Sequence, residues 1–391
     1  MDTIAVPGAA SDLTPEWLTG VLRSRGYLTA GSVEGLSIEE IGAGRGYVGL
    51  TLRLTPRYSA SAAGDAPPSM VAKMPTFVER RDPADKLFAD LLYSTEIHWY
   101  EALAPASPVR VPRCYWAGAD QPRSAYCILL ENLGDLRLTD QLSPCSIEDA
   151  RLVVTELARL HAHWWNSPEL ESLDWLMSSS QASGLMAGLW QLGWEPFRRT
   201  FGSGVLAEYE AIGERTGAQM IRLAEQAISG AFTLAHGDFR FENFMFGPVG
   251  TRDALCVLDW QLITRGSGAM DFAYFLAQSL DTDFRRKHEN ELMDLYLAGL
   301  SSGGVTGYSR ERFYDDFRRG LLLAMAVPVN GSRIFEEVAA APDAAAGGRK
   351  TSPEELAIVQ KALESGARLL MEVCARNVAA ILDHRASEVL A

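Results

Sequence analysis

A chain of 391 residues exceeds what one ordinary hydrophobic core serves, so two lobes are expected. Hydrophobic residues at 47% and charged residues at 22% exclude a disordered or fibrous chain. With 36 Lys and Arg against 50 Asp and Glu, the net charge of −14 repels phosphate backbones and anionic lipid, which argues against nucleic acid as a partner.

The N-terminal stretch MDTIAVPGAA lacks the basic run and long apolar core of a signal peptide. The longest apolar run, Leu321 to Val329, contains Pro328 and is far short of the roughly 20 residues that span a bilayer, so no membrane association is expected. Cysteines at 114, 127, 145, 256 and 374 form no paired CxxC spacing, which fits a reducing compartment, and the expected location is cytoplasmic.

In chain order, Ser32 to Ile41, Tyr47 to Leu54 and Met70 to Met74 read as strands, the last two separated by a Ser/Ala/Gly/Pro loop. Gly42, Gly44 and Gly46 lie between the first two strands. Without side chains they would let backbone amides approach phosphates, or they would serve hairpin geometry alone. Lys73 sits inside an apolar strand, where a long cation needs a partner or an anion. From Asp82 to Ala104 the pattern is helical, and Glu96 shares a face with Leu92, Trp99, Tyr100 and Leu103, so a Lys73 to Glu96 pair would satisfy both charges and aim the ammonium at nucleotide phosphates; a solvated strand-edge lysine and a glutamate at the stripe's margin are the alternative. Glu101, the competing carboxylate, points away from that stripe. A strand over Tyr126 to Leu130 ends at Glu131-Asn132-Leu133-Gly134, where the lobe boundary is expected: 1–133 as an N-terminal nucleotide-binding lobe and 134–391 as a helical C-terminal lobe.

The second lobe opens with helical periodicity over Ile147 to Trp165 and closes with a long helix begun by Ser352-Pro353-Glu354-Glu355, after an Ala/Gly-rich loop from Ala339 to Lys350. Between them, the strand Phe232 to Ala235 delivers the polar segment His236-Gly237-Asp238-Phe239-Arg240-Phe241-Glu242-Asn243. A hairpin follows, Phe244 to Phe246 and Leu255 to Leu258, and it brings Asn243 and Asp259 to the same end of the ribbon. An amide and a carboxylate there match the hard oxygen ligands that Mg²⁺ takes beside a nucleotide, and Asp238 is placed to accept a hydroxyl proton. Turn capping is the alternative for each of these residues taken alone.

This order of parts, glycine loop, strand lysine, helix glutamate, hinge, HGDxxxxN and an aspartate after a hairpin, resembles the aminoglycoside phosphotransferase and choline kinase group of the protein-kinase-like fold, and within it the ecdysteroid kinase-like proteins. Asp259-Trp260-Gln261 through Gly266 to Asp271-Phe272-Ala273-Tyr274-Phe275-Leu276 carries the ecdysteroid kinase-like pattern. His236 to Arg240 is similar to the phosphotransferase domains fused to some acyl-CoA dehydrogenases, and Leu160-His161-Ala162-His163-Trp164-Trp165 to the superfamily's first large-lobe helix. The resemblance runs from about residue 30 to about residue 300.

It implies an α+β two-lobe fold with a small antiparallel-sheet N-lobe and a mostly helical C-lobe. It further implies Asp238 as catalytic base, Asn243 and Asp259 on Mg²⁺, Lys73 on ATP phosphates, adenine against the backbone of Glu131, Asn132 and Leu133, and Asp271 as a brace beneath the catalytic loop, for which an ordinary acidic cap in the first turn of the next helix is the equal alternative. Gly237 stands where protein kinases carry arginine, and Trp260-Gln261 where they carry Phe-Gly, which argues against control by loop phosphorylation. Arg240 meets a substrate anion or phosphate oxygen, or pairs with a nearby carboxylate. His161 and His163 read as packing or hydrogen-bonding residues rather than ligands.

The expected function is therefore transfer of the γ-phosphate of ATP to a hydroxyl of a small molecule. A catalytically silent nucleotide-binding module and a metal-dependent phosphoesterase are the alternatives. Residues 166 to 230 and 283 to 340 would form the acceptor pocket. Trp175, Trp190 and Trp194 hint at an apolar or ring-bearing acceptor, unless they are ordinary core. Acceptor identity, ATP against GTP, and oligomeric state are not encoded legibly.

Overall fold

The computed structural model describes residues 4–41, 49–75, 83–340 and 353–391; Gly42, Gly44 and Gly46 lie outside the described residues. The chain divides into two compact units, Met1–Leu136 and Arg137–Ala391, three residues beyond the boundary expected from sequence.

The N-terminal unit begins with α1 (Pro15–Ser24), started by Thr14, whose hydroxyl accepts the Trp17 amide, and by Pro15 at the first helical position. Five antiparallel strands follow in the order β1-β2-β3-β5-β4: β1 (Val33–Glu40), β2 (Gly49–Tyr58), β3 (Met70–Pro75), β4 (Cys114–Asp120) and β5 (Ala125–Glu131). Burial alternates along β3, with Met70, Ala72 and Met74 turned into a core with Leu18, Val21, Leu54 and Leu129, which leaves Val71 and Lys73 on the opposite face. Between β3 and β4 runs α2 (Pro83–His98), continued by a π-helical turn over Trp99–Leu103. Strand β4 was not legible in the sequence, because Cys-Tyr-Trp-Ala-Gly-Ala-Asp lacks the β-branched, alternating character of an isolated strand. It forms by pairing along the whole of β5.

The C-terminal unit is mostly helical. A short strand β6 (Arg137–Leu138) precedes α3 (Ile147–His163), α4 (Pro168–Glu171), α5 (Ser179–Phe201) and α6 (Glu210–Ile228). Next come β7 (Thr233–Ala235), the hairpin β8 (Phe244–Phe246) and β9 (Leu255–Val257), and β10 (Thr264–Gly266), with β6-β8-β9 in one small sheet and β10-β7 in another. Helices α7 (Gly268–Ser279), α8 (Thr282–Ser302), α9 (Arg310–Leu323), α10 (Ala326–Ala340) and α11 (Pro353–Asp383) complete the unit. Helix α7 is buried on nearly every face, as its apolar sequence requires, and it lies at the centre of this unit against α9 and α11.

Helices α5 and α6 meet where Trp190 and Trp194, four residues apart, lie over Gly217 and Gly213, also four apart. A Cβ at Gly213 would fall 2.2 Å from the Trp194 ring, and one at Gly217 would fall 2.4 Å from Trp190. The two indoles, stacked with centroids 5.5 Å apart, therefore serve helix packing, the ordinary-core alternative of the sequence reading. Among the described residues no helix is long and apolar enough to cross a membrane.

Candidate functional site

In the N-terminal unit, Lys73 reaches from the half-buried face of β3 to Glu96 of α2, with Nζ 2.6 Å from Oε2. Glu96 is 1% exposed and is flanked by the buried Leu92, Trp99, Tyr100 and Leu103, so its charge is tolerable only with a cation in contact. Glu101 is exposed, as the helical spacing requires. At the end of β5, the Glu131 carboxylate is gripped by Arg110 Nη2 at 2.7 and 2.8 Å and its amide donates to Arg113 O. Asn132 is fixed by bonds to Ser69 and from the Gly134 amide. The Leu133 carbonyl accepts from Leu136, while the Leu133 N–H makes no hydrogen bond among the described residues, a donor that suits a planar base.

In the C-terminal unit, the segment after β7 alternates. Phe239 and Phe241 turn into a cluster with Phe244, Phe246 and Phe275, while Asp238, Arg240 and Glu242 face the other way. Aromatic packing thus anchors a loop whose polar side chains face one another on its other side. At Gly237 φ is +82°, and a Cβ would lie 2.3 Å from Leu262 O, so no arginine fits here.

Asp271, in the first turn of α7, does not cap its own helix. Its Oδ2 accepts the His236 amide at 2.6 Å and its Oδ1 the Gly237 amide at 2.9 Å, while His161 Nε2 lies 3.2 Å from Oδ2. His161 in turn contacts the Tyr296 hydroxyl at 2.8 Å, so a buried carboxylate is satisfied on every side beneath the loop. His236 donates from Nε2 to Leu258 O at 2.9 Å and accepts the Asp238 amide at Nδ1, which sets its tautomer.

The Asp238 carboxylate is buried and receives three side-chain donors: Tyr274 OH to Oδ1 at 2.8 Å, Asn243 Nδ2 to Oδ2 at 2.9 Å, and Arg240 Nε 3.0 and 3.1 Å from the two oxygens. Burial alone would raise its pKa. The Arg240 charge, the Tyr274 hydroxyl, His236 and Asn243 outweigh that and hold it below the usual carboxylate range. Burial likewise pushes the Glu242 carboxyl up, against the pull of Arg240. Arg240 bridges Asp238 and Glu242, which is the carboxylate-pairing alternative of the sequence reading, and its Nη2 makes no hydrogen bond among the described residues.

Asn243 donates both amide hydrogens back to Asp238, to the backbone carbonyl at 2.8 Å and to the carboxylate. That orientation leaves Asn243 Oδ1 as an oxygen with no hydrogen bond among the described residues. Leu258 N donates to Asn243 O at 2.8 Å and Phe244 pairs with Val257, so Asn243 and Asp259 lie at one end of the β8-β9 ribbon. Asp259 has left-handed backbone angles, φ 60° and ψ 70°, which aim its side chain out of the strand direction. Two oxygen donors of this kind suit Mg²⁺, which keeps water and phosphate as its remaining ligands. Among the described residues no group of three or more His, Cys, Asp and Glu is placed to hold a metal ion.

The sequence reading missed the role of Tyr274. It lies three residues after Asp271 in an otherwise apolar helix, and that spacing of two polar residues on one face was the available signal.

The small antiparallel sheet followed by a mainly helical unit, with a polar loop between β7 and β8, defines the two-lobe kinase-like α+β class. An aminopropanol kinase associated with a microcompartment shares this fold, at 14% identity and TM-score 0.50 over 95% of this chain and 98% of that one. So do a Ralstonia eutropha protein classed as an aminoglycoside phosphotransferase, at 16% identity and TM-score 0.50 over 93% and 97%, and a point mutant of aminoglycoside 2'-phosphotransferase-IIIa solved with GDP, at 11% and 0.50 over 90% and 98%. The family model described as ecdysteroid kinase-like matches residues 43–303, and the chain belongs to that family. A 78-residue segment is 32% identical to the Caenorhabditis elegans protein "Uncharacterized oxidoreductase dhs-27", a match covering 18% of this chain and 10% of that protein.

Proposed function

We propose that this chain is a small-molecule kinase that transfers the γ-phosphate of ATP to a hydroxyl, with Asp238 as base. The observation that carries the reading is the Asp238 to Asn243 loop, in which one amide donates to both the carbonyl and the carboxylate of Asp238 and keeps its own oxygen out of those bonds, at the end of the hairpin that leads to Asp259. Lys73, held by Glu96, neutralises nucleotide phosphates, the Leu133 N–H receives the base, and Asn243 Oδ1 and the Asp259 carboxylate hold Mg²⁺. Bound there, Mg²⁺ supplies charge neutralisation on the phosphates.

Asp238 accepts the acceptor's hydroxyl proton as the new oxygen–phosphorus bond forms. The bond from the γ-phosphorus to the bridging oxygen breaks, and ADP leaves with that electron pair. Tyr274 and Arg240 keep the carboxylate ionised before the proton arrives. The acidic surface and the five free thiols support a cytoplasmic protein that takes a hydroxylated metabolite rather than nucleic acid or a membrane as partner.

One observation favours a second reading, a silent nucleotide-binding module: Arg240 already occupies the proposed base. Thermal unfolding with Mg²⁺-ATP or Mg²⁺-GTP, followed by an ADP-release screen of hydroxylated metabolites, separates the two. A nucleotide at a hundredfold its dissociation constant should stabilise by about 2.7 kcal/mol, and Asp259→Ala should remove that gain. Nucleotide binding without ADP release from any acceptor favours the silent module. No magnesium-dependent shift at millimolar nucleotide overturns both.

A further inference from the structure

Gln141 lies in the turn between β6 and α3 and is 1% exposed, yet each of its hydrogen-bonding groups is engaged. Its Oε1 accepts Arg240 Nη1 at 2.9 Å and its Nε2 donates to Gln278 O at 3.1 Å. Its carbonyl accepts Arg376 Nη1 at 2.6 Å, and its amide faces Glu242 Oε1 at 3.4 Å. The orientation of the side-chain amide is unambiguous, since only the NH₂ can meet the Gln278 carbonyl and only the oxygen can meet the guanidinium. Gln278 is tied down in turn by its own bond to Ala324 O at 2.9 Å.

A buried, neutral amide held at both its oxygen and its nitrogen, and in contact with a charged side chain, has a specific consequence. Arg240 is shared between two carboxylates, Asp238 and Glu242, and its reach toward each depends on where its Nη1 is held. A neutral acceptor fixes Nη1 without competing for the charge, so Nε stays on Asp238. A carboxylate in the same place would draw the guanidinium off. Arg376, which pins the Gln141 backbone from α11, lies beyond the residues matched by the family model, so this support is supplied by the chain's own C-terminal helix.

We infer that Gln141 is a positioning residue for phosphoryl transfer: it holds Arg240 so that the guanidinium orients the Asp238 carboxylate toward the incoming hydroxyl. This rests on the kinase reading above. Gln141 touches none of the nucleotide-contacting groups named there, so its loss acts on kcat and leaves the nucleotide KM unchanged.

The test is a double-mutant cycle of Gln141→Leu and Gln141→Glu, each in the natural chain and in an Arg240→Met background, read in kcat and KM. Hydrogen exchange of the 236–243 amides is measured in parallel on every variant without nucleotide. Displacement of a catalytic group by a fraction of an ångström lowers kcat by about 10- to 100-fold, and that loss is expected for both substitutions, the larger for Glu. In the Arg240→Met background either substitution should change kcat by less than about twofold, because the residue through which Gln141 acts is gone. Loop amides should exchange faster in Gln141→Leu than in the natural chain. An equal loss of kcat in both backgrounds, or a rise in nucleotide KM with kcat unchanged, overturns the inference. If the natural chain shows no phosphotransfer, the kinase reading fails instead, and unaltered loop protection in both Gln141 variants would still overturn the positioning role. Gln141→Glu, which keeps the shape of the side chain, serves should Gln141→Leu fail to fold.

Discussion

Lys73 and Asp238 are held in different ways. In the N-terminal unit a lysine from a strand meets a fully buried glutamate from a helix, charge against charge. In the C-terminal unit neutral donors join or replace the cation: the Tyr274 hydroxyl and Asn243 amide share Asp238 with Arg240, and beneath the loop the backbone amides of His236 and Gly237 hold Asp271. An ion pair can be replaced as a pair by apolar side chains without leaving anything stranded. A carboxylate satisfied by backbone amides cannot, because the amides remain whatever side chain is substituted.

The largest effect should come from Asp238→Asn, which keeps the shape of the loop and removes the proposed base. Turnover in an ADP-release assay should fall by about 10³-fold or more while the magnesium-nucleotide thermal shift persists. Retained turnover would remove Asp238 from the mechanism. Next, Asp271→Asn leaves one donor-facing group where two amides need oxygens, and should destabilise by about 3 kcal/mol as read from denaturant midpoints, with activity lost in parallel. A stable Asp271→Asn protein would break the comparison on the C-terminal side.

On the other side, Lys73→Met strands a buried charge on Glu96 and should cost about 3 kcal/mol together with the nucleotide shift. Adding Glu96→Leu should restore most of the stability and none of the nucleotide binding. Failure of that second substitution to restore stability would mean that the pair is not replaceable as a unit.

The smallest effect involves neither site. Asp383 is subject to burial, which raises its pKa, but the hydrogen bonds from Arg286 and Arg285 outweigh this and lower it. With a folded value below the unfolded one, its contribution is present above the unfolded pKa of about 3.9 and is lost as the pH falls through the folded value. The stability gap between the natural chain and Asp383→Asn should therefore narrow as pH is taken from about 5 down to about 3, measured by thermal unfolding.

What could be read from sequence follows the same division. The Asp238 to Asn243 spacing and the hairpin to Asp259 are local, so the residues themselves state who stands beside whom. Lys73 and Glu96 are distant in the chain, yet each carried a local sign of need: a cation within an apolar strand and a carboxylate on a buried stripe. Tyr274 offered only its spacing from Asp271 on one face of α7, and Gln141 carried no sign at all, because a glutamine in a polar turn acquires its role only when the turn closes on the loop. Trp190 and Trp194 pointed toward an acceptor as readily as toward a core until Gly213 and Gly217 were matched to them, spacing for spacing. Arg240 could be placed beside the base but not assigned, since a carboxylate and an anionic ligand ask the same thing of a guanidinium.

The left-handed backbone of Asp259 has a bearing on laboratory evolution. A non-glycine residue in that conformation gives up about 1 kcal/mol that glycine would recover. Selection for thermal tolerance alone would therefore enrich Asp259→Gly, yielding hardier proteins that have lost an oxygen from the end of the hairpin. Stabilising libraries for this chain are best built with position 259 held as aspartate and with nucleotide binding included in every round of selection.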